Sequence, residues 1–231
     1  DVAAVIVEPL MRSIPPEPGF LTGLRNLCDE NGIVLIFDEI VTGFRMAWGG
    51  AQERYGTVPD LATYGKTISG GTPLSAVVGD REIMKLAEPS RMDEPDGVYV
   101  SGTLSGNALS VTAGNAALDI LERNGMYRHL DQYADSFRSI IDDVFEDSDL
   151  EGQSIGDGPI VDYAITDQGR IRRWEDFLAC DGETKRSIDT ELLQQGILQH
   201  HGGKRYISTE HGDTELETTS EAFKEAVERV H

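Results

Sequence analysis

The chain has 231 residues, enough for one large α/β domain with a smaller companion. Its 41 acidic residues against 20 basic ones give a formal net charge of −21. That balance excludes nucleic acid and anionic membrane surfaces as partners and leaves small molecules or other proteins. No run of 18 apolar residues exists, so no membrane-spanning helix is expected. Arginine outnumbers lysine 15 to 5, and acids crowd segments such as Asp142-Asp143-Val144-Phe145-Glu146-Asp147. Such crowding is ordinarily a solvated face, and it also suits a protein kept soluble in high salt.

The chain opens on Asp-Val-Ala-Ala-Val-Ile-Val-Glu-Pro, without an initiator Met or a signal-peptide pattern, and reads as a strand entered mid-fold. Ala3 to Val7 is a short strand closed by Glu8-Pro9, because proline cannot continue a central ladder. A proline-bearing loop, Leu10 to Gly19, leads to a helix with Phe20, Leu24, Leu27 and Cys28 at helical spacing and Asn31-Gly32 as its stop. The apolar run Ile33 to Phe37 is expected to be a strand buried on both faces, completing a right-handed βαβ unit. Asp38 then stands at the strand's C-terminal end, where open α/β sheets bind ligands. Taken alone, Asp38 reads equally as a loop cap or a metal ligand.

A short helix over Ala51 to Tyr55 precedes the Leu61 to Thr63 strand, which delivers Lys66 between Gly65 and Thr67. Leu74 to Val78 is the expected antiparallel return across the glycine turn. Residues 87 to 98 are loop. Val98 to Val100 leads into Ser101-Gly102-Thr103-Leu104-Ser105-Gly106-Asn107, which opens a long helix from Ala108 to Leu121. Asn124-Gly125 marks the expected boundary between a large domain, 1–125, and a small α+β domain, 126–231. In the latter, Tyr127, Leu130, Ala134, Phe137, Ile141, Val144 and Phe145 make an amphipathic helix. Ile160 to Ile165 is a strand, Thr190 to Gln195 part of a helix, and Ile197 to Gln199 and Tyr206 to Ser208 short strands. Thr214 to Val230 is a closing helix with Asp213 as its candidate cap.

The ordered motifs Glu8-Pro9, LIFDEIVTGFR, PDLATYGKTISGG and SGTLSGN resemble the class III pyridoxal-phosphate aminotransferases, and within them the glutamate-1-semialdehyde 2,1-aminomutases. The resemblance covers most of residues 1 to 125, and more weakly Arg205-Tyr206-Ile207-Ser208-Thr209 with the closing helix. It implies a fold-type I α/β enzyme: part of a large domain with a mixed, mostly parallel sheet, plus the small C-terminal domain. Pyridoxal 5'-phosphate is the implied cofactor, with Lys66 forming the Schiff base and acting as base for the substrate's α-proton. A glycine-walled, desolvated setting would lower the amine's pKa for that work. Asp38 pairs with the pyridine nitrogen, keeping the ring an electron sink. Ile40 and Val41 pack on a ring face; some relatives place a ring-binding glutamine where Val41 stands. Thr103 reaches the phosphate of a neighbouring subunit's cofactor, which implies a homodimer with shared active sites.

Glu8 and Arg12 are substrate-side candidates, Arg12 as a bidentate partner for a carboxylate. Each also has a plain reading, Glu8 as a strand-end carboxylate bonded to local backbone and Arg12 as a solvated side chain. The family's glycine turn for the phosphate and its stacking aromatic fall upstream of Asp1, so the chain reads as roughly the C-terminal half of such an enzyme. The loop Leu10-Met11-Arg12-Ser13-Ile14 departs from the aminomutase pattern, which leaves an intermolecular ω- or β-amino-acid transaminase as the runner-up. A truncated paralogue acting as a binding partner is a third reading.

A nucleotide-hydrolase reading of Gly65-Lys66-Thr67 fails on its spacing, since Asp60 stands where a phosphate loop needs glycine. Cys28 and Cys180 lie in no metal-binding or CxxC spacing, His200-His201 would face opposite ways on a strand, and His129 and His211 have no ligand partners in sequence. No metal is expected. A reducing cytoplasm is the expected compartment.

Overall fold

A computed structural model describes residues 1–230, which divide into two compact units. The first comprises Asp1–Pro9 and Pro18–Asn124, the second Leu10–Glu17 and Gly125 onward. The segment Leu10–Glu17, which a single cut at residue 125 assigns to the first unit, therefore packs with the second.

In the first unit β1 (Ala4–Val7), α1 (Phe20–Asn31), β2 (Val34–Glu39), α2 (Ala51–Tyr55), β3 (Leu61–Tyr64) and β4 (Ala76–Gly79) are followed by the short α3 (Arg81–Met84) and by α4 (Ala108–Leu121). The sheet order is β1-β2-β3-β4. The first three strands run parallel and β4 pairs antiparallel with β3. All three parallel strands therefore end on one edge, which carries Glu8, Asp38 and the segment into Lys66. Gly32, left-handed at φ 62, stops α1 and turns the chain into β2.

The sequence reading of β2 as buried on both faces is corrected. Leu35 and Phe37 pack against Leu21 and Cys28 of α1, whereas Val34, Ile36 and Asp38 alternate onto a half-buried face. That face includes Ile6, 62 % exposed, beside Ile36. Period-two alternation is what a strand shows when only one face is packed.

The second unit contains α5 (Met126–Glu146), β5 (Gly152–Asp157), β6 (Ile160–Ile165), α6 (Trp174–Leu178), α7 (Gly182–Gln194), β7 (Arg205–Tyr206) and α8 (Asp213–Val230). Its three strands form an antiparallel sheet in the order β5-β6-β7. Leu130, Phe137 and Ile141 of α5 meet Val161 and Tyr163 of β6, Ile188 and Leu192 of α7, and Phe223 and Val227 of α8. Sequence reading missed β5, whose glycines mask its strand character. Gly152 is needed because a Cβ there would stand 2.8 Å from the Phe145 ring. Ile197 to Gln199, expected as a strand, is irregular.

A four-charge cluster lies inside this unit. Lys185 Nζ donates to Asp162 Oδ1 at 2.6 Å, Arg205 Nη1 donates to the same oxygen at 2.8 Å, and Arg205 Nη2 donates to Asp189. The Tyr163 hydroxyl donates to Asp189 Oδ1 at 2.8 Å. All four charged side chains are less than a tenth exposed. Burial pushes Lys185 down against the opposing pull of Asp162, and pushes the Tyr163 phenol up.

Candidate active site

The parallel pairing of β2 with β3 puts Asp38 directly opposite Thr63. The Thr63 hydroxyl donates to Asp38 Oδ1 at 3.3 Å, and the Ile40 backbone N–H donates to the same oxygen at 3.1 Å. Both bonds fall on Oδ1, so Oδ2 keeps its lone pairs for another donor. Three residues past Thr63, Lys66 opens a four-residue 3-10 turn, Lys66–Ser69. Asp38 and Lys66 thus stand at the C-terminal ends of neighbouring parallel strands, on one edge of the sheet. A phosphate loop would feed a helix here instead.

Lys66 has φ 45, a left-handed conformation that costs a non-glycine residue on the order of 1–3 kcal/mol unless its surroundings impose it. They do. The Ser69 hydroxyl donates to the Lys66 carbonyl at 2.5 Å, and Ile68 is buried with Ala62 and Tyr64. Behind the turn, α4 approaches so closely that a Cβ at Gly70, itself at φ 56, would lie 2.5 Å from the Ala113 carbonyl oxygen. A Cβ at Gly114 would lie 2.7 Å from that of Ile68. The strain sits on the one lysine of the motif, held there by packing.

The desolvated lysine of the sequence reading is corrected: the Lys66 side chain is exposed. Gly65 before it and Gly70-Gly71 beyond it carry no side chains that could cover the amine. Gly65 matters differently, since a Cβ there would crowd Ile40 Cδ1 at 3.1 Å. Ile40 therefore lies against the residue preceding Lys66. Val41 is half-buried, and its carbonyl accepts from Arg45 Nε at 2.8 Å.

Two supporting residues escaped the sequence reading. Glu39, fully buried, accepts from Thr42 Oγ1 at 2.6 Å and from the N–H groups of Ala51 and Gln52 at 2.8 and 2.9 Å. It caps α2 and so pins the turn that follows Asp38. Tyr64, buried beside it, has its phenol pushed up to about 12 by burial and then by the Glu39 carboxylate, against a hydrogen bond from Gln52. Thr63 is the other, and the register of two parallel strands was the signal that would have found it.

Thr103 is exposed in a turn, and Asn107 beyond it caps α4 by accepting from the Ser110 N–H at 3.2 Å. Glu8 is exposed directly after β1. Arg12 belongs to the second unit, at φ 59, with its guanidinium carbon 4.8 Å from the Trp174 ring centroid. Among the described residues no group of three or more His, Cys, Asp or Glu is placed to hold a metal, and no helix is long and apolar enough to cross a membrane.

The family model for aminotransferase class-III matches residues 1–230. The glutamate-1-semialdehyde 2,1-aminomutase of Salinibacter ruber is 40 % identical over 246 aligned residues, covering 100 % of this chain and 53 % of that protein. The crystal structure of an omega-transaminase from Sphaerobacter thermophilus superposes with a TM-score of 0.86 at 28 % identity, over 98 % of this chain and 52 % of that one. A transaminase solved with PLP bound gives a TM-score of 0.86 at 25 % identity, over 100 % of this chain and 53 % of that one. The chain spans about half the length of the curated relatives it matches.

Proposed function

Because the chain belongs to the class-III aminotransferases, we propose that it carries the lysine-bearing part of a pyridoxal-phosphate site and serves amino-group transfer. The favoured reaction is that of a glutamate-1-semialdehyde 2,1-aminomutase, which makes 5-aminolevulinate for tetrapyrrole synthesis. The observation that carries this reading is the bond between Thr63, on the strand that delivers Lys66, and Asp38 on the neighbouring strand. It ties the strand that leads into Lys66 to the strand that carries Asp38, which supports a shared site at the sheet edge where such folds bind ligands.

The residues present fit the cofactor. Asp38 Oδ2 is available to a ring N–H, Ile40 offers an apolar contact beside Gly65, and the buried Thr67 hydroxyl next to Lys66 has no hydrogen-bond partner among the described residues. When bound, pyridoxal phosphate supplies an aldehyde carbon for amines and a ring that draws off the electrons left when an α-proton departs.

With the cofactor bound, Lys66 Nζ would be the amine that holds it and the group that would take and return the substrate's α-proton. Its left-handed backbone, imposed by the packing of the turn, restricts where the side chain can reach before substrate arrives. Asp38 holds positive charge at the ring nitrogen, and Thr63 with the Ile40 N–H fixes the carboxylate plane. Ile40 and Val41 would offer apolar contact to the bound cofactor. Glu8 stands at the same sheet edge as a substrate-side carboxylate.

Thr103 donates to a phosphate held by a partner subunit in a homodimer. The apolar stretch beside it, with Val98, Tyr99, Val100 and Leu104 all at least half exposed, supports burial against a second copy. We place the enzyme in the cytoplasm.

Pyridoxal phosphate added to the purified chain, with the upstream segment supplied where needed, should give a visible absorbance band that Lys66→Ala abolishes. No band under either condition refutes the reading and favours a non-catalytic binding partner. The likeness to an omega-transaminase fold favours an intermolecular ω- or β-amino-acid transaminase as the second reading. Turnover of the semialdehyde with no acceptor supports the aminomutase; activity only with an added 2-oxo acid supports the transaminase.

A further inference from the structure

The chain has five asparagines, and two of them, Asn31 and Asn124, are followed by glycine. In that pairing the side-chain amide carbon is most open to the next backbone nitrogen, because glycine puts no side chain in the way. Whether the nitrogen reaches the carbon depends on how the fold holds both groups.

Asn31 is held on both sides. It is the last residue of α1, and its Nδ2 donates to the Leu27 carbonyl at 2.8 Å. The Gly32 N–H donates to the Asp29 carbonyl at 3.5 Å, and the Ile33 N–H to that of Cys28 at 2.9 Å. The chain then enters β2, where the Val34 N–H donates to the Ala3 carbonyl at 3.1 Å. Attack at Asn31 therefore needs a helix end and a strand start to open together.

Asn124 has no such restraint. α4 ends at Leu121, and the bonds that continue its last turn stop at the Arg123 N–H, which donates to the Ile120 carbonyl at 3.2 Å. Asn124 and Gly125 are both exposed, and among the described residues neither the Asn124 carboxamide nor the Gly125 N–H has a hydrogen-bond partner. Gly125, left-handed at φ 84, has open space where a Cβ would stand. The other three asparagines lack a following glycine. Asn26 and Asn115 lie inside α1 and α4, and Asn107 commits its side-chain oxygen to the Ser110 N–H.

We infer that Asn124 is a site of spontaneous deamidation and that Asn31, in the same dipeptide, is protected by the fold. The Gly125 nitrogen loses its proton to solvent base and bonds to the side-chain carbonyl carbon of Asn124. The bond from that carbon to the amide nitrogen breaks, and the nitrogen leaves with a proton as ammonia. Water then opens the cyclic imide at either carbonyl, leaving aspartate at 124 or an isoaspartyl link whose main chain runs through the former side chain. Water is the only co-reactant. The inference is independent of the aminotransferase reading.

The change falls on the peptide bond that leads from the first unit into the second, and it adds a negative charge to a formal −21. It also falls just before the N-cap of α5, whose first turn holds no acid. An aspartate there meets the positive end of the helix favourably, whereas the isoaspartyl link lengthens the backbone by a methylene.

The test incubates the full chain in neutral and in alkaline buffer and follows it by isoelectric focusing and peptide mass mapping. Asn124 should gain the mass of OH in place of NH2, sooner in alkali, at a rate about tenfold above that of Asn31. Aspartyl and isoaspartyl peptides should both appear. In urea, where α1 and β2 are lost, Asn31 should convert as fast as Asn124. Asn124→Gln, whose longer side chain closes the ring poorly, should abolish the acidic shift and leave the far-UV circular dichroism unchanged. No conversion at Asn124 in the folded chain, equal rates at the two sites there, aspartate without isoaspartate, or an acidic shift that persists in Asn124→Gln overturns the proposal.

Discussion

Lys185→Met tests how the second unit holds its buried charge cluster. The ammonium is 7 % exposed and donates to Asp162 Oδ1 at 2.6 Å and to the Tyr163 carbonyl at 2.9 Å. Methionine keeps most of the volume, so the loss is one of charge rather than packing. Without Lys185 the cluster holds two carboxylates and one guanidinium, a net buried negative charge. Removing one partner from a buried ion pair costs about 3–5 kcal/mol, chiefly through the charge left behind. Arg205 Nη1 and the Tyr163 N–H still serve Asp162, which places the expected loss near the lower end, about 3 kcal/mol.

Adding Asp162→Asn should recover part of that loss, because the Arg205–Asp189 pair that remains is balanced. The two substitutions should therefore couple by more than about 1 kcal/mol. Urea unfolding followed through Trp174 fluorescence in the Trp48→Phe background reports the second unit. A loss below about 1 kcal/mol for Lys185→Met, or a double variant no better than the sum of the singles, refutes the argument that charge balance holds this core. Because Ser13 bonds to Asp162, Lys185→Met should also loosen the turn that carries Ser13.

Thr63→Val removes one of two donors to Asp38 while preserving shape. The bond is 3.3 Å long and part-buried, so its loss should cost about 1 kcal/mol, or roughly a fivefold weaker cofactor affinity by absorbance titration. Thr63→Ser should restore it, and unchanged affinity in Thr63→Val would show that the Ile40 N–H alone orients Asp38. The Tyr64 phenol, raised from 10.0 to about 12 by burial, contributes stability that is fully present below pH 10 and is lost as pH rises through 12. Plotted against pH, the urea midpoint of wild type minus that of Tyr64→Phe should therefore fall across that window. A flat difference refutes the assignment.

Local pattern alone determined much of this protein. Runs of β-branched residues closed by proline or glycine located β1, β2 and β3, and apolar spacing located α1, α4 and α5, because those signals lie within one element. Asp38 and Lys66 stood out as candidates because each lies at or just past the end of a strand in a motif of specific composition. Which neighbours hold them was decided by tertiary structure. Thr63 meets Asp38 only through the β2–β3 register, and Glu39 caps a helix 12 residues away. The strain at Lys66 needs α4 pressed against its turn, and no property of the turn's own residues announces that.

The same reason accounts for the misreadings. Burial is a property of what packs on a face, so the apolar Ile33 to Phe37 run could not say that one side of β2 would stay half-exposed, nor could Gly65 say that Lys66 would be uncovered. Gly152 hid β5 because its strand is stabilised by a Phe145 ring lying on bare backbone rather than by propensity. The four-charge cluster joins residues from β6, α7 and β7 that no sequence spacing relates, apart from the one helical turn between Lys185 and Asp189. Long-range pairing brings together side chains whose separations carry no periodicity, and for that reason the cluster became visible only in the folded chain.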